Sequence, residues 1–254
     1  MALEEKASLV SQLGSAPCTV EDTEETFWLR EADDYQSKLA LGNALAAQYR
    51  FKDAIGAYQD ALLVRSDDPV LYTRLGGAYL TIRQFDEAWA SYQKALGLGA
   101  PPQSVTFPLG VWHYLKRDYS AAAEWFAQCL PYGDEMAIAA IYWHTLSCYR
   151  SGQAAALLPL YHREMNVGHH TAYRLAVSVF CGEVPWEKAL EQVRQDRSEL
   201  NRIITLYGLC GYLTTAKENV RSKELLKELL TLDGCWPCIP YLAAWGDDAS
   251  NMGT

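Results

Sequence analysis

The sequence has no run of 18 or more apolar residues, so no membrane-spanning helix is expected. It has no cluster of lysine and arginine, and 22 basic against 31 acidic residues leave a formal net charge of −9. DNA, RNA and anionic membranes all require a basic footprint, so none of them is an expected partner. The opening Met1-Ala2-Leu3-Glu4-Glu5-Lys6 lacks the basic and then apolar layout of a secretory signal, and a cytoplasmic location is expected. Neither a Ser-His-Asp order nor a phosphate-binding loop is present, and G-x-G-x-x-G and H-E-x-x-H are missing too. The chain is therefore read as non-catalytic, with no cofactor and no catalytic residue.

Paired cysteine motifs are scarce as well. Seven cysteines make an odd count, and five of them sit inside helical apolar patterns, which suits reduced thiols packed as small hydrophobes. Cys235-Trp236-Pro237-Cys238 has the spacing of a redox pair or half a zinc site. Redox pairs sit at the start of a helix after a strand, and no strand pattern precedes this one. Zinc needs four ligands, there is no second pair, and His169-His170 could contribute only if the chain curled back. A structural turn is the preferred reading, and no metal site is expected. His113 stands at a core position of a helix; His144 and His162 also lie among apolar residues.

What is present is a beat of 34 residues. Leu-Gly recurs at Leu41-Gly42, Leu75-Gly76 and Leu109-Gly110. An aromatic follows at Phe51, Phe85 and Tyr119, then alanine at Ala54, Ala88 and Ala122, then Tyr58, Tyr92 and Phe126. Leucine closes each unit at Leu62, Leu96 and Leu130. A fixed period of this length marks a repeat architecture, in which one hairpin cannot bury its apolar face alone and stacking does so. In the clearest unit Asp68 is an N-cap candidate and Pro69 a first helical residue, Arg83-Gln84 makes the turn, and Gly97, Gly99, Pro101 and Pro102 stop the second helix.

This unit resembles the tetratricopeptide repeat, reading Tyr72-x2-Leu75-Gly76-x2-Tyr79 and then Ala88-x3-Tyr92. Residues 35–68 and 103–136 fit the same frame, giving three clear repeats over 35–136. Residues 137–233 are read as three degenerate hairpins. The first of them spans 138–168, and Pro159 should kink or shorten its second helix. Residues 1–34 are read as a short helix carrying Leu3, Leu9, Val10 and Leu13, then a loop over 14–26, with Phe27 and Trp28 as anchors. Residues 234–254 are read as a cap with Tyr241, Leu242 and Trp245, fraying from Asp247. The expected fold is all-α, and the resemblance implies a right-handed solenoid of stacked antiparallel hairpins.

The resemblance also implies that the first helix of each hairpin lines a concave groove. Carried over position by position, the groove takes Gln36, Leu39, Asn43 and Ala47, then Val70, Thr73, Arg74 and Gly77, then Phe107, Val111 and Tyr114. It continues through Tyr142, Trp143, Leu146, Tyr149 and Arg150, Arg174 and Ser178, and Tyr207 and Gly211. No acidic residue is among them. The set suits a protein or peptide segment with apolar anchors and a carboxylate held by arginine. The later aromatics fit core positions instead if the register after residue 137 slips by one or two places. The clamp by which one branch of the family holds chaperone C-termini is matched only at Asn43, which argues against that ligand. The implied function is a protein-interaction module. The alternatives are a secretion-type chaperone holding a client segment and a self-assembling scaffold, the latter a homo-oligomer.

Overall fold

Asp68 accepts hydrogen bonds from the N–H groups of Val70 and Leu71 at 2.8 and 3.3 Å, and Pro69 follows at the first helical position, where no N–H is needed. The carboxyl also accepts from Tyr35 and Arg65. Burial pulls its pKa up, but these hydrogen bonds outweigh burial and hold it below the ordinary value. The cap read from the sequence is thus the cap the fold uses.

The computed structural model describes residues 24–251, with side chains for 34–248. The helices are α1 (Glu24–Ala47), α2 (Phe51–Val64), α3 (Pro69–Thr81), α4 (Phe85–Gly97), α5 (Gln103–Leu115) and α6 (Tyr119–Ala127). They continue with α7 (Asp134–Ser151), α8 (Thr171–Phe180), α9 (Trp186–Gln195), α10 (Glu199–Thr215), α11 (Asn219–Leu230) and α12 (Ile239–Asn251). Among the described residues there is no strand, and no helix is long and apolar enough to cross a membrane. Two compact units divide between Val105 and Thr106, inside α5.

The hairpin turns repeat as faithfully as the side chains. Tyr49, Arg83 and Arg117 take left-handed φ values of 63°, 65° and 65°, and Lys217 takes 66°. After each, an N–H reaches back to a carbonyl five residues earlier: Arg50 to Leu45, Gln84 to Tyr79, Asp118 to His113 and Glu218 to Leu213, at 2.8–2.9 Å. This is the Schellman ending of a helix, which satisfies its last carbonyls and reverses the chain. Gly152 and Gly182, at φ 73° and 72°, do the same after α7 and α8.

Inside the hairpins, glycine admits the aromatic. A Cβ at Gly42 would stand 2.4 Å from Tyr58, one at Gly76 2.6 Å from Tyr92, and one at Gly110 2.7 Å from Phe126. The two helices can cross this closely only without that Cβ. Ala54, Ala88 and Ala122 are fully buried beside them. The packing is what the tetratricopeptide resemblance implies for these three hairpins.

Three expectations need correction. The loop over 14–26 does not extend to its end, because α1 is already helical at Glu24; the rest of that loop, the short helix before it and the side chains of Phe27 and Trp28 lie outside the described residues. The fourth hairpin has no second helix. Residues 152–170 are irregular apart from a single 3-10 turn at Leu158–Leu160. Gly152 ends α7 in the left-handed region, and Pro159 removes an N–H after too few residues for a stable helix. The segment is held instead by Asp134, which accepts from the Asn166 N–H at 3.0 Å, and by an Arg163–Glu183 ion pair at 2.8 Å. Two true hairpins follow, α8–α9 and α10–α11. Finally, Asp247 does not begin a frayed tail. It lies within α12 and is bound by side chains of two other helices.

Candidate functional site

In the first unit, the first helices of two hairpins meet at Asn43 and Arg74. Asn43 Oδ1 accepts from Arg74 Nη1 at 2.7 Å and from the Tyr58 hydroxyl at 3.0 Å. Tyr58 is the aromatic that packs on Gly42, so the repeat core orients the amide, and the amide orients the guanidinium. Burial raises the Tyr58 pKa, against the lowering influence of Arg74, so the phenol remains a donor. Arg74 is exposed. Beside it Val70 is 54 % exposed, and Gln36 and Ala47 also face solvent. Leu39, Thr73 and Gly77 are half-buried. This face is open, partly apolar and cationic at Arg74.

The second unit is organised around an aromatic core. Tyr142 and Trp143 have no exposed surface, Tyr207 has 2 % and Tyr114 has 3 %. Trp143 takes Tyr114 edge-on at 4.9 Å between ring centres, with Tyr142 at 5.2 Å, Tyr207 at 5.9 Å and Phe126 at 6.1 Å. The Tyr142 hydroxyl donates to the Ile204 carbonyl at 2.8 Å. These four residues are buried, so the reading of them as ligand-contacting groove residues is corrected for this conformation. The cause is α7, whose residues Ala137 to Cys148 are all buried. Over that stretch the helix is covered on every side and has no face reserved for a ligand. Val111, Leu146, Ser178 and Gly211 are buried too.

Other expected groove residues lie at the margin of this core. Phe107 is half-buried, with its ring 5.4 Å from Phe126. Tyr149 is half-buried against Phe180 at 5.6 Å. Arg174 donates to the Met165 carbonyl and so ties α8 to the irregular segment.

Arg150 is placed differently. It pairs with the Asp247 carboxylate, and its guanidinium lies 5.9 Å from the centre of the Tyr119 ring. The same Asp247 oxygen accepts from the Tyr207 hydroxyl at 3.1 Å, and Tyr207 is 2.9 Å from the Tyr114 hydroxyl. Since the carboxylate can only accept, Tyr207 donates to it and Tyr114 donates to Tyr207. Burial, with the Asp247 charge next, drives the Tyr207 pKa far upward, so both phenols stay protonated and the relay keeps its direction. Arg117 completes the arrangement by donating to the Gly246 carbonyl at 2.9 Å. Tyr114, Arg150 and Tyr207 come from α5, α7 and α10, and they converge on a carboxylate. Sequence reasoning missed Asp247 and Arg117. Nothing in the spacing marks the former as more than a tail residue, and the latter reads as a turn residue.

His113 lies between Trp112 and Trp125 at 4.9 and 6.4 Å and pairs with Asp118 at 3.0 Å, a packed position that closes the α5–α6 turn. Cys235 to Cys238 form a turn before α12. The Cys235 N–H donates to Glu199 at 3.1 Å, and the Cys238 N–H donates to the Cys235 carbonyl at 3.0 Å. Burial pushes the Cys238 thiol up to about 12, away from the thiolate that redox chemistry needs. No disulfide joins the six described cysteines, and no group of three or more His, Cys, Asp or Glu among the described residues is placed to hold a metal.

Repeated Schellman turns, glycine-on-aromatic crossings and stacked antiparallel hairpins define an all-α helical-repeat protein of tetratricopeptide-like build. Among solved structures the chain is similar to YrrB, described as a TPR protein with an unusual peptide-binding site. The identity is 15 %, over 89 % of this chain and 98 % of that one, with a TM-score of 0.43. It is also similar to a structure of Naa15/Naa10 bound to HypK-THB, at 18 % identity over 87 % of this chain and 35 % of that one, with a TM-score of 0.37. No protein-family model and no curated protein matches the chain.

Proposed function

We propose that this protein is a non-catalytic module that binds a polypeptide segment on the first-helix face of its first unit. The observation that carries this reading is the Asn43–Arg74 pair, a guanidinium anchored on one side by a core-oriented amide and exposed on the other. Val70 beside it offers apolar contact. Such a face takes a segment with an apolar residue next to a carboxylate, because guanidinium–carboxylate bonds are directional and charge-assisted.

The test uses Arg74→Glu, a change at an exposed side chain that leaves the helical core alone. Partners captured by the wild-type chain from its native cell extract are identified by mass spectrometry. The binding segment of each is then synthesised and titrated calorimetrically against both proteins. The wild type should bind directly, and Arg74→Glu should lose at least about tenfold, the effect of 1.4 kcal/mol. Equal affinities for both proteins would overturn the reading.

A further inference from the structure

The second unit already holds a carboxylate, and it belongs to the chain itself. Burial along α12 is uneven. Tyr241, Leu242, Ala243 and Ala244 are 7, 2, 5 and 0 % exposed, whereas Trp245 to Asp248 are half-exposed. The first half of the helix is therefore a packed cap on α10 and α11. The second half is tied to α7 and α10 by Arg150 and Tyr207, which both hold Asp247, and to the α5–α6 turn by Arg117, which donates to the Gly246 carbonyl. Gly246 stands between the halves, where glycine weakens a helix by roughly 0.5–1 kcal/mol relative to alanine. Next to the pair lies a cavity of about 250 Å³, lined by Arg150 and Asp247 and also by Lys223, Asn219 and Thr214. That volume admits a side chain, and Lys223 adds a second cation to its wall.

We infer that Arg150 and Tyr207 form a carboxylate-recognition seat, that the 246–248 stretch of α12 is a latch occupying it, and that an acidic polypeptide segment binds there by displacing Asp247. The inference rests on the reading of the chain as a polypeptide binder but concerns a different unit and different residues. The seat is built from a fixed cation, a phenol held in donor orientation by Tyr114, and space beside them. The latch competes with the incoming segment for the same atoms, so apparent affinity is the intrinsic affinity reduced by the fraction of chains with the seat open.

The probe is the capped peptide Ala-Trp-Gly-Asp-Asp-Ala-Ser, a copy of residues 244–250, titrated by NMR while the Tyr207 ring signals are followed. Asp247→Asn should bind it about tenfold more tightly than the wild type, as for a latch closed about nine-tenths of the time. The same peptide with both aspartates replaced by asparagine should not bind, and adding Arg150→Gln to Asp247→Asn should abolish the gain. Arg117→Gly is the second variant. It frees the Gly246 carbonyl, suits the positive φ at that turn, leaves the seat intact and should also tighten binding. Equal affinity of the wild type and both variants, with native helix content, would overturn the inference, as would binding indifferent to the peptide's carboxylates. Exchange of α12 between two copies would appear as a doubled mass in light scattering and would overturn it too. Retained Arg74-dependent binding alongside a failed Asp247→Asn gain would sink this inference alone.

Discussion

At the scale of single residues, the same amino acid does opposite work at two sites. Gly76 is required because its missing Cβ is the space that the Tyr92 ring fills, and Tyr92 is 1 % exposed and cannot swing aside. Gly56, inside α2, has nothing within 4 Å of where a Cβ would be. Gly76→Ala should destabilise the protein by about 1–3 kcal/mol through overpacking. Gly56→Ala should stabilise it by about 0.5–1 kcal/mol by restricting the unfolded chain. Urea unfolding of the two variants beside the wild type measures both signs, and two changes in the same direction would refute the packing account. The crossing at Gly76 was legible in the sequence, because Gly76 and Tyr92 sit at fixed offsets in a local hairpin and recur as Gly42–Tyr58 and Gly110–Phe126. The left-handed turns at Tyr49, Arg83 and Arg117 recur at the same period, yet none of those residues is glycine or asparagine. Only their position within the repeat reveals them.

At the scale of elements, the limit of sequence reading is α7. A helix half in solvent betrays its faces by alternation, but α7 is buried from Ala137 to Cys148 and shows no such stripe. Its residues Tyr142 and Trp143 therefore resembled groove residues while serving as core. The missing second helix after it was hinted at by Pro159 and Gly152. What replaces it, a tied irregular segment, depends on contacts with Asp134 and Glu183 that no local pattern encodes. Burial of this stretch of α7 has a consequence for pH. His144 is 6 % exposed, and burial lowers its pKa below the ordinary 6.5. The native state holds it neutral, whereas the unfolded chain takes up a proton near pH 6.5. Stability is thus intact above that pH and is lost as pH falls from there toward the lower native value, by at most about 1.4 kcal/mol per pH unit. His144→Gln removes this titration. Its unfolding free energy should fall less between pH 7.5 and 5.5 than that of the wild type, whatever the absolute stability. An unchanged pH dependence would assign the effect to other groups.

At the scale of the whole molecule, two arginines with carboxylate partners or openings are set in a chain of net charge −9. The composition announced the charge, and the repeat register placed Arg74 and Arg150 on first helices. It could not show that the second of them is already engaged, because Arg150 and Asp247 are 97 residues apart. The global field and the local seat now oppose each other for an acidic ligand. The field reaches about 30 Å at 0.01 M salt and only about 8 Å at 0.15 M, while a partly buried contact is screened much less. For Asp247→Asn and the aspartate-bearing probe peptide, added salt should therefore raise the association rate by relieving long-range repulsion and leave the dissociation rate nearly unchanged. Line-shape analysis of the NMR titration at the two ionic strengths separates the rates. The same peptide with neutral side chains controls for viscosity and activity effects. An association rate that falls with salt would mean that the cationic seat steers its ligand from a distance, and that the acidic surface elsewhere plays no part in choosing it.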